Sequence, residues 1–316
     1  MKLVYCGTPG FAVPTLEALL AAGHEIPLVV SQPDRPVGRA QQLTAPPVKQ
    51  TALAGGLQVV QPEKIRNNAE FRAQLEAIAP DAIVVVAYGR ILPKWMLDLP
   101  RHGCINLHAS LLPKYRGAAP IQWAVAMGDA YTGNTTMLLE EGLDTGPILL
   151  QQTIEIGPEQ TAAELFDVLA KAGAPLVVET LAALAGGSVT PKPQSEEGAT
   201  FAPMLDREDG RIDFSARAAH EIYNRWRGFQ PWPGAFTSLE GKKFIVHRIA
   251  LVDAEEVAAH NDAQPGLIHV HDGRIFAACA GSTWVELIEV QLEGKKRMPA
   301  AEFLRGIPRG TTIRLG

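Results

Sequence analysis

The stretch CINLHASLLPKYRGAAP, residues 104–120, places an asparagine and a histidine two positions apart in an apolar, strand-like segment. Alternate residues of a strand share one face, so Asn106 and His108 are expected to point the same way. In an open parallel sheet, ligands bind beyond the carboxyl ends of the strands, where this pair lies. A carboxamide can donate a hydrogen bond to a developing oxyanion, and an imidazole can move a proton near neutral pH. The pair therefore predicts a site for proton transfer and oxyanion stabilisation.

A second strand end, EEGLDTGP at residues 140–147, holds Asp144 in a tight loop with two glycines. An aspartate close to a histidine orients the ring and favours its charged form. Ser110 follows His108 closely, but it is not set in a G-x-S-x-G nucleophile elbow. We therefore expect direct transfer between two bound substrates rather than a covalent acyl-enzyme. A lone strand-end histidine or a lone turn aspartate is often structural, and spacing alone leaves that interpretation open.

Alternating strand and helix patterns are expected to position these residues. Apolar runs at residues 2–6, 26–32, 81–89 and 103–108 predict strands, and residues 161–187 predict a long helix. Unbroken apolar strands between helices are typical of a parallel α/β sheet that is covered on both faces. The turn GTPGFA after the first strand does not match G-x-G-x-x-G, which disfavours a dinucleotide site.

The composition changes after residue 187. Residues 188–200 are polar, contain two prolines and show no periodicity, which indicates a linker. Beyond them lie a helical pattern and short strand-like runs separated by turns, which predict a small antiparallel barrel or sandwich. We therefore divide the chain into residues 1–187, a linker at 188–203 and a C-terminal domain at 204–316.

Composition and charge limit the possible partners. The 316 residues include 47% hydrophobic and 20% charged residues, as in ordinary soluble globular proteins, and the formal net charge is −5. Residues 1–204 hold 14 basic and 19 acidic side chains and residues 205–316 hold 15 of each, so any RNA contact must use local patches. The three cysteines have no metal-ligand or disulfide spacing, and we see no apolar run approaching the roughly 18 residues of a membrane span. We expect a cytoplasmic monomer with no metal site and no membrane contact.

The chain resembles the folate-dependent formyltransferases over nearly its whole length. The motifs that carry the resemblance are, in chain order, YCGTPGFAVPTLEALL, SQPDRPVGR, VVVAYGRILP, NLHASLLPKYRGAAPIQWA, GLDTGPIL, FAPMLDREDGRIDF and FQPWPGAF. The resemblance implies a Rossmann-like N-terminal domain and a C-terminal tRNA-binding domain similar to an OB barrel. It also implies transfer of the formyl group of 10-formyltetrahydrofolate to the methionine amino group of initiator methionyl-tRNA. The family's catalytic asparagine, histidine and aspartate fall on Asn106, His108 and Asp144.

The same resemblance implies a folate cleft built from three segments. One is the loop after the Asn106 strand, one resembles a wall of the pterin pocket, and one supplies the polar edge through its backbone. The residues so identified are Ser110, Leu111, Leu112, Pro113, Tyr88, Gly89, Arg90, Ile91, Leu92, Glu140, Gly142 and Gly146.

Contacts to tRNA are implied in the loop at residues 32–49 and in a basic run near the C-terminus. Many family members read G-R-G-K-K-L in the loop, whereas this chain has Gln41 and Gln42 in place of the two lysines. Each lost phosphate contact weakens salt-dependent binding, so the stringency of tRNA selection stays open. The candidate tRNA-binding residues are Arg35, Arg39, Lys49, Lys295, Lys296 and Arg297.

Other functions share parts of this pattern. A formyltransferase acting on a nucleotide-linked amino sugar would use the same three catalytic residues, and a folate hydrolase could use the same site. GTPG and QPDRPVGR favour a tRNA acceptor. An RNA-binding module without catalysis is disfavoured by the balanced charge of residues 205–316.

Overall fold

The structure is a computed structural model that describes residues 1–38, 41–252, 256, 264–308 and 311–316. Contacts divide the chain into two compact units. Unit 1 comprises residues 1–120, 131–155 and 164–203, and unit 2 comprises residues 121–130, 156–163 and 204–316. Residues 188–203 thus belong to unit 1, while the predicted domain boundaries stay a prediction.

Strands and short helices alternate along the first half of the chain. The first strands are β1 (Lys2–Gly7), β2 (Glu25–Val30), β3 (Arg35–Val37), β4 (Gln42–Thr44), β5 (Val59–Val60), β6 (Ala82–Val86), β7 (Cys104–His108), β8 (Arg116–Gly117), β9 (Tyr131–Leu138), β10 (Ile148–Glu155) and β11 (Phe201–Ala202). The later strands are β12 (Phe236–Leu239), β13 (Lys242–Leu251), β14 (Ile268–His271), β15 (Arg274–Cys279), β16 (Thr283–Leu292) and β17 (Met298–Pro299). The helices are α1 (Val13–Ala21), α2 (Pro47–Ala54), α3 (Ala69–Ile78), α4 (Lys94–Leu97), α5 (Pro120–Ala126), α6 (Ala162–Ala185), α7 (Ala219–Gly228) and α8 (Ala300–Arg305).

Unit 1 is built on a sheet with the strand order β10-β9-β7-β6-β1-β2-β5. Strands β7, β6, β1, β2 and β5 run parallel, as the unbroken apolar runs predict. The expectation of a wholly parallel sheet is wrong at one edge, because β9 runs antiparallel to both β7 and β10. Residues 139–147 alone join β9 to β10, and so short a connection cannot make a parallel crossover.

The two faces of β7 differ in what they pack against. Cys104 is buried in a core cluster with residues of β1, β6 and α3. On the other face, a Cβ atom at Gly173 of α6 would lie 2.6 Å from the Leu107 side chain, so α6 lies close to the sheet. β7 ends at His108, which therefore lies at the carboxyl edge of the parallel strands.

Helix α6 corrects the expectation that no apolar run approaches the length of a membrane span. Its 24 residues include an 18-residue window with a mean hydropathy of 1.6, which is long and apolar enough for a membrane span. The side chains of Leu165, Leu169, Val177 and Leu181 are buried within the protein. The apolar character of α6 is therefore explained by packing in the core.

Unit 2 contains an antiparallel sheet with the order β12-β13-β16-β15-β14, and β17 pairs with β16. Its buried face joins α7 and α8 in one apolar core. The antiparallel strand pattern is confirmed, while closure into an OB-like barrel stays a prediction.

Two segments expected to be irregular contain paired strands. In the loop at residues 32–49, β3 and β4 form an antiparallel hairpin. In the predicted linker, β11 pairs with β8, next to the segment that follows β7. Neither pair could be read from periodicity, since each strand has only two or three residues.

Candidate active site

His108 and Asp144 meet at the carboxyl edge of the unit 1 sheet. The imidazole Nδ1 lies 3.7 Å from Asp144 Oδ2, and the two side chains are 6% and 14% exposed. The other ring nitrogen, Nε2, lies 2.9 Å from the carbonyl oxygen of Tyr115. Asp144 Oδ2 also accepts a 2.9 Å hydrogen bond from the backbone N–H of Gly117. The ring and the carboxylate are thus both held by the segment that follows β7.

The loop that carries Asp144 is shaped by its backbone conformation. Asp144 has a φ of 52°, in the left-handed region that aspartate tolerates better than most residues. Such a conformation persists only where surrounding contacts hold it, and it is frequent at functional sites.

Asn106 lies two residues before His108 on β7 and is half-buried. Among the residues the structure describes, none is hydrogen-bonded to its carboxamide. A half-buried amide with free donors is suited to bind an oxygen atom of a ligand. Asn106 therefore presents donors at this strand end, and its role in oxyanion stabilisation stays a prediction.

The loop after β7 is fixed by the hydroxyl of Thr135, which lies on β9 opposite His108 of β7. Thr135 Oγ1 donates to the Ser110 carbonyl at 2.7 Å and accepts from the Leu112 N–H at 3.2 Å. Gln151 donates both to Thr135 Oγ1 at 3.0 Å and to the Leu112 carbonyl at 2.9 Å. The Ser110 hydroxyl donates to the Lys114 carbonyl at 2.6 Å. Strands β9 and β10 thereby determine the path of the predicted folate-binding segment.

Leu111 and Pro113 complete that segment. A Cβ atom at Gly133 would lie 2.7 Å from Leu111 Cδ2, so the glycine leaves room for the leucine side chain. The peptide bond between Leu112 and Pro113 is cis. Residues 110–113 thus form a compact segment that begins two residues after the end of β7 at His108.

The predicted pterin wall is gathered around one glutamine. Gln32 Nε2 donates to the carbonyls of Tyr88 at 3.1 Å and Gly89 at 3.3 Å, and Gln32 Oε1 accepts from Arg90 Nε at 3.1 Å. A single side chain thus holds three consecutive residues of the wall.

The side chains of this wall lie in different environments. Tyr88 and Leu92 are buried, whereas Ile91 is 88% exposed. Burial raises the pKa of the Tyr88 phenol, whose hydroxyl has no hydrogen-bond partner in the described part of the chain. Ile91 is accordingly the side chain of this segment most open to a ligand.

Glu140, Gly142 and Gly146 lie in the loop between β9 and β10. The Thr145 hydroxyl donates to Glu140 Oε1 at 2.7 Å, and a Cβ atom at Gly142 would lie 2.0 Å from that hydroxyl oxygen. A Cβ atom at Gly146 would lie 1.8 Å from the Leu138 carbonyl oxygen, which is backbone and cannot move aside. The loop geometry therefore requires glycine at position 146.

The candidate tRNA-binding residues of unit 1 differ in whether their side chains are already paired with a carboxylate. Arg35 is exposed on β3, and Arg39 lies outside the described residues. Lys49 Nζ forms a 2.8 Å ion pair with Asp34 and a 2.7 Å hydrogen bond with Gln61 Oε1. The hydrogen bonds from Lys49 and then Gln61 lower the pKa of Asp34. Lys49 is thus already paired within the protein.

In unit 2, the basic run at residues 295–297 follows β16. Lys295 and Lys296 are exposed, and no described residue forms an ion pair with either. Arg297 instead pairs with Glu289, and that hydrogen bond lowers the pKa of Glu289. The two lysines therefore carry the charge that this run offers to a polyanion.

Two further side chains at the site were not identified from the sequence. Gln194 Nε2 donates to the carbonyls of Asp144 and Gly146, each at 2.8 Å, and Gln194 Oε1 accepts from Arg116 Nε at 3.0 Å. Arg116 is 2% exposed, and its Nη1 is paired with Glu196 at 3.1 Å. Arg116 lies in the motif NLHASLLPKYRGAAPIQWA, whereas Gln194 lies in the polar stretch predicted to be a linker, where no local pattern marks it.

Comparison with known proteins identifies the family to which this chain is similar. Residues 1–181 match the family described as formyl transferase, and residues 204–308 match the formyl transferase C-terminal domain. Over 316 residues, covering all of both chains, the protein is 68% identical to a methionyl-tRNA formyltransferase of Acidobacterium capsulatum. It is 56% identical to a methionyl-tRNA formyltransferase of Koribacter versatilis, covering 100% of this chain and 99% of the relative. A solved structure of WlaRD, a sugar 3N-formyl transferase in the presence of dTDP and 5-N-formyl-THF, has a TM-score of 0.65 at 17% identity, covering 94% of this chain and 99% of that one.

Proposed function

Because the chain belongs to the methionyl-tRNA formyltransferases of the formyl transferase family, we propose that it transfers the formyl group of 10-formyltetrahydrofolate to the methionine amino group of initiator methionyl-tRNA. The observation that carries this proposal is the meeting of His108 and Asp144, 3.7 Å apart, at the strand end that holds Asn106. The product is N-formylmethionyl-tRNA, which serves the initiation of translation. We propose direct transfer through a tetrahedral intermediate, without a covalent enzyme intermediate, because Ser110 is not set in a G-x-S-x-G nucleophile elbow.

The catalytic residues act on charge and on protons. The neutral amine attacks the formyl carbon, and the Asn106 carboxamide donates to the oxygen that becomes negatively charged. Protonated His108 supports the same charge, since its Nδ1 lies beyond hydrogen-bond distance of Asp144 and retains a donor for the substrate. Asp144 stabilises the imidazolium and, through a water molecule, assists proton movement from the amine to the folate nitrogen. Collapse of the tetrahedral intermediate then breaks the bond between the formyl carbon and that nitrogen, and tetrahydrofolate leaves. Preorganised donors of this kind are usually the largest contribution to such a reaction.

Folate supplies the formyl group when it is bound, and the residues present fit it. Among the described residues, the Asn106 amide has free donors and Ile91 is exposed. The loop from Glu140 to Gly146, between β9 and β10, has backbone polar groups besides the Asp144 and Gly146 carbonyls that Gln194 holds. The segment from Ser110 to Pro113 lies between these elements in the chain and is fixed by Thr135. We propose that these residues, with Tyr88 to Leu92, form the folate cleft.

We propose further that residues 204–316 form an OB-like tRNA-binding domain and that residues 188–203 join it to a catalytic domain at 1–187. Of the tRNA candidates, exposed Arg35, Lys295 and Lys296 are free to contact phosphates, whereas Lys49 and Arg297 would first have to exchange their carboxylate partners. The protein is proposed to act in the cytoplasm as a monomer.

The experiment that tests the acceptor compares three substrates with 10-formyltetrahydrofolate as donor. Initiator methionyl-tRNA, elongator methionyl-tRNA and a UDP-linked amino sugar are offered in parallel, and transfer of labelled formyl is measured. We expect transfer to the initiator. Transfer to the sugar, or only hydrolysis of the folate, would contradict the proposed acceptor, and an Asn106→Ala variant controls for uncatalysed transfer.

A further inference from the structure

We infer that Gln194 is a positioning residue for Asp144, and that the polar segment around it completes the active site instead of only joining two domains. The inference rests on the proposed function, because it deepens the role given there to Asp144. It depends on contacts within unit 1, where residues 144, 116 and 194 all lie.

The first argument is the pair of hydrogen bonds that Gln194 makes to the catalytic loop. Its amide nitrogen donates at 2.8 Å to the carbonyls of both Asp144 and Gly146. Asp144 is the residue with a left-handed φ of 52°, and the bond to its carbonyl opposes rotation out of that conformation. Both donor hydrogens of the amide are used, so a side chain without them cannot replace it.

The second argument is the buried guanidinium that orients Gln194. Arg116 Nε donates to Gln194 Oε1 at 3.0 Å, which fixes which end of the amide faces the loop. Arg116 is 2% exposed, and such a buried cation requires polar partners. Glu196, two residues after Gln194, accepts from Arg116 Nη1 at 3.1 Å and 3.2 Å. The segment therefore supplies both the positioning amide and the charge that balances its anchor.

The third argument is that the same segment holds the chain that touches His108. The Thr200 hydroxyl accepts from the Tyr115 N–H, and the Thr200 carbonyl accepts from the Arg116 N–H, each at 2.9 Å. Tyr115 supplies the carbonyl that faces His108 Nε2, and Gly117 supplies the N–H that holds the Asp144 carboxylate. Residues 192–202 thus hold residues 115–117, which in turn contact both His108 and Asp144.

The test measures single-turnover and steady-state formyl transfer by the full chain with four variants. Gln194→Leu removes every polar contact of the amide, while Gln194→Glu keeps the acceptor for Arg116 and loses the two donors to the loop. Asp144→Asn and the double variant D144N/Q194L complete a cycle. Ser195→Ala is the matched control, because the only hydrogen bond of its exposed hydroxyl to a described residue is the one that it accepts from the Glu197 N–H.

We expect both Gln194 variants to lower kcat between roughly 10- and 100-fold, since misplacement of a catalytic group by about 1 Å can cost that much. The KM for folate should change by less than about threefold, and the double variant should be no more than about twofold slower than Asp144→Asn, because residues that act as a unit are non-additive. Ser195→Ala should match the wild type. Melting temperatures are measured for every variant, and Gln194→Glu carries the test if Gln194→Leu fails to fold.

The outcomes separate the inference from the proposed function. A slow Asp144→Asn with a normal Gln194→Glu, or multiplicative losses in the double variant, would overturn the positioning role and leave the catalytic role of Asp144 intact. An Asp144→Asn variant with the wild-type rate would overturn both. Unfolding of Gln194→Glu at the assay temperature would also overturn the inference, since a role in stability would then suffice.

Discussion

The Nε2 atom of His108 lies 2.9 Å from the carbonyl oxygen of Tyr115, and this contact determines where the imidazole carries its protons. A carbonyl oxygen only accepts, so Nε2 must be the protonated donor in this pair. Any second proton is then on Nδ1, the nitrogen that faces Asp144 at 3.7 Å. The protonated ring therefore has one committed donor and one that a substrate oxygen can share.

Replacing the imidazole tests this arrangement. We expect His108→Ala to slow formyl transfer roughly 100-fold, the usual loss for one donor to an oxyanion. Single-turnover transfer to initiator methionyl-tRNA measures the effect without interference from product release. His220→Ala, at an exposed position on α7, is the control. A His108→Ala rate within threefold of the wild type would show that the ring has no catalytic role.

Thr135 offers a test of the predicted folate segment. Thr135→Val removes the hydroxyl that accepts from the Leu112 N–H and donates to the Ser110 carbonyl. A buried N–H left without a partner costs about 1–3 kcal/mol, so we expect lower stability in denaturant unfolding. We also expect a higher KM for folate, because the loop is no longer held against β9.

The matched control is the next residue along the strand. Thr136 is equally buried, and its hydroxyl bonds to Thr180 of α6 on the other side of the sheet. Thr136→Val should destabilise the protein while leaving the KM for folate unchanged. Equal effects of both variants on KM would indicate that Thr135 contributes only to stability.

The positions of Asn106 and His108 could be predicted because strand alternation is a local property. Their partner Asp144 follows from its place at another strand end, although spacing alone did not exclude a structural role. Gln194 could not be predicted, since it reaches the site across 50 residues of sequence from a stretch with no periodicity. The direction of β9 was also missed, because the sequence of a buried strand (YTGNTTML here) carries no signal for whether it runs parallel or antiparallel to its neighbours.

The cysteines give a test that depends on pH. Burial raises the pKa of the Cys104 and Cys279 thiols to about 12, and it raises that of Cys6 well above its usual range. The native protein should therefore not react with Ellman's reagent at pH 8, whereas all three thiols should react in guanidinium chloride. Rapid reaction of one thiol in the native protein would contradict this burial.

The same thiols predict the direction of alkaline unfolding. In the unfolded chain the thiols ionise near their ordinary pKa of about 8.5, whereas in the folded chain they stay protonated. Their contribution to stability is thus complete below about pH 8.5 and is lost as the pH rises toward 12. Melting temperatures recorded from pH 8 to 10.5 should fall, and replacing Cys279 with alanine should make that fall less steep.

Lys295 and Lys296 test the proposed contact between unit 2 and tRNA. Because no described residue pairs with these exposed lysines, substituting both with alanine should weaken tRNA binding without affecting the fold. The slope of log K against log salt should fall by about 1 for each lysine that contacts a phosphate. Lys94→Ala is the control, since Lys94 is exposed but pairs with Asp98 at 2.8 Å. The affinity is measured by filter binding between roughly 50 and 200 mM salt. An unchanged slope in the double variant would place the tRNA contacts elsewhere.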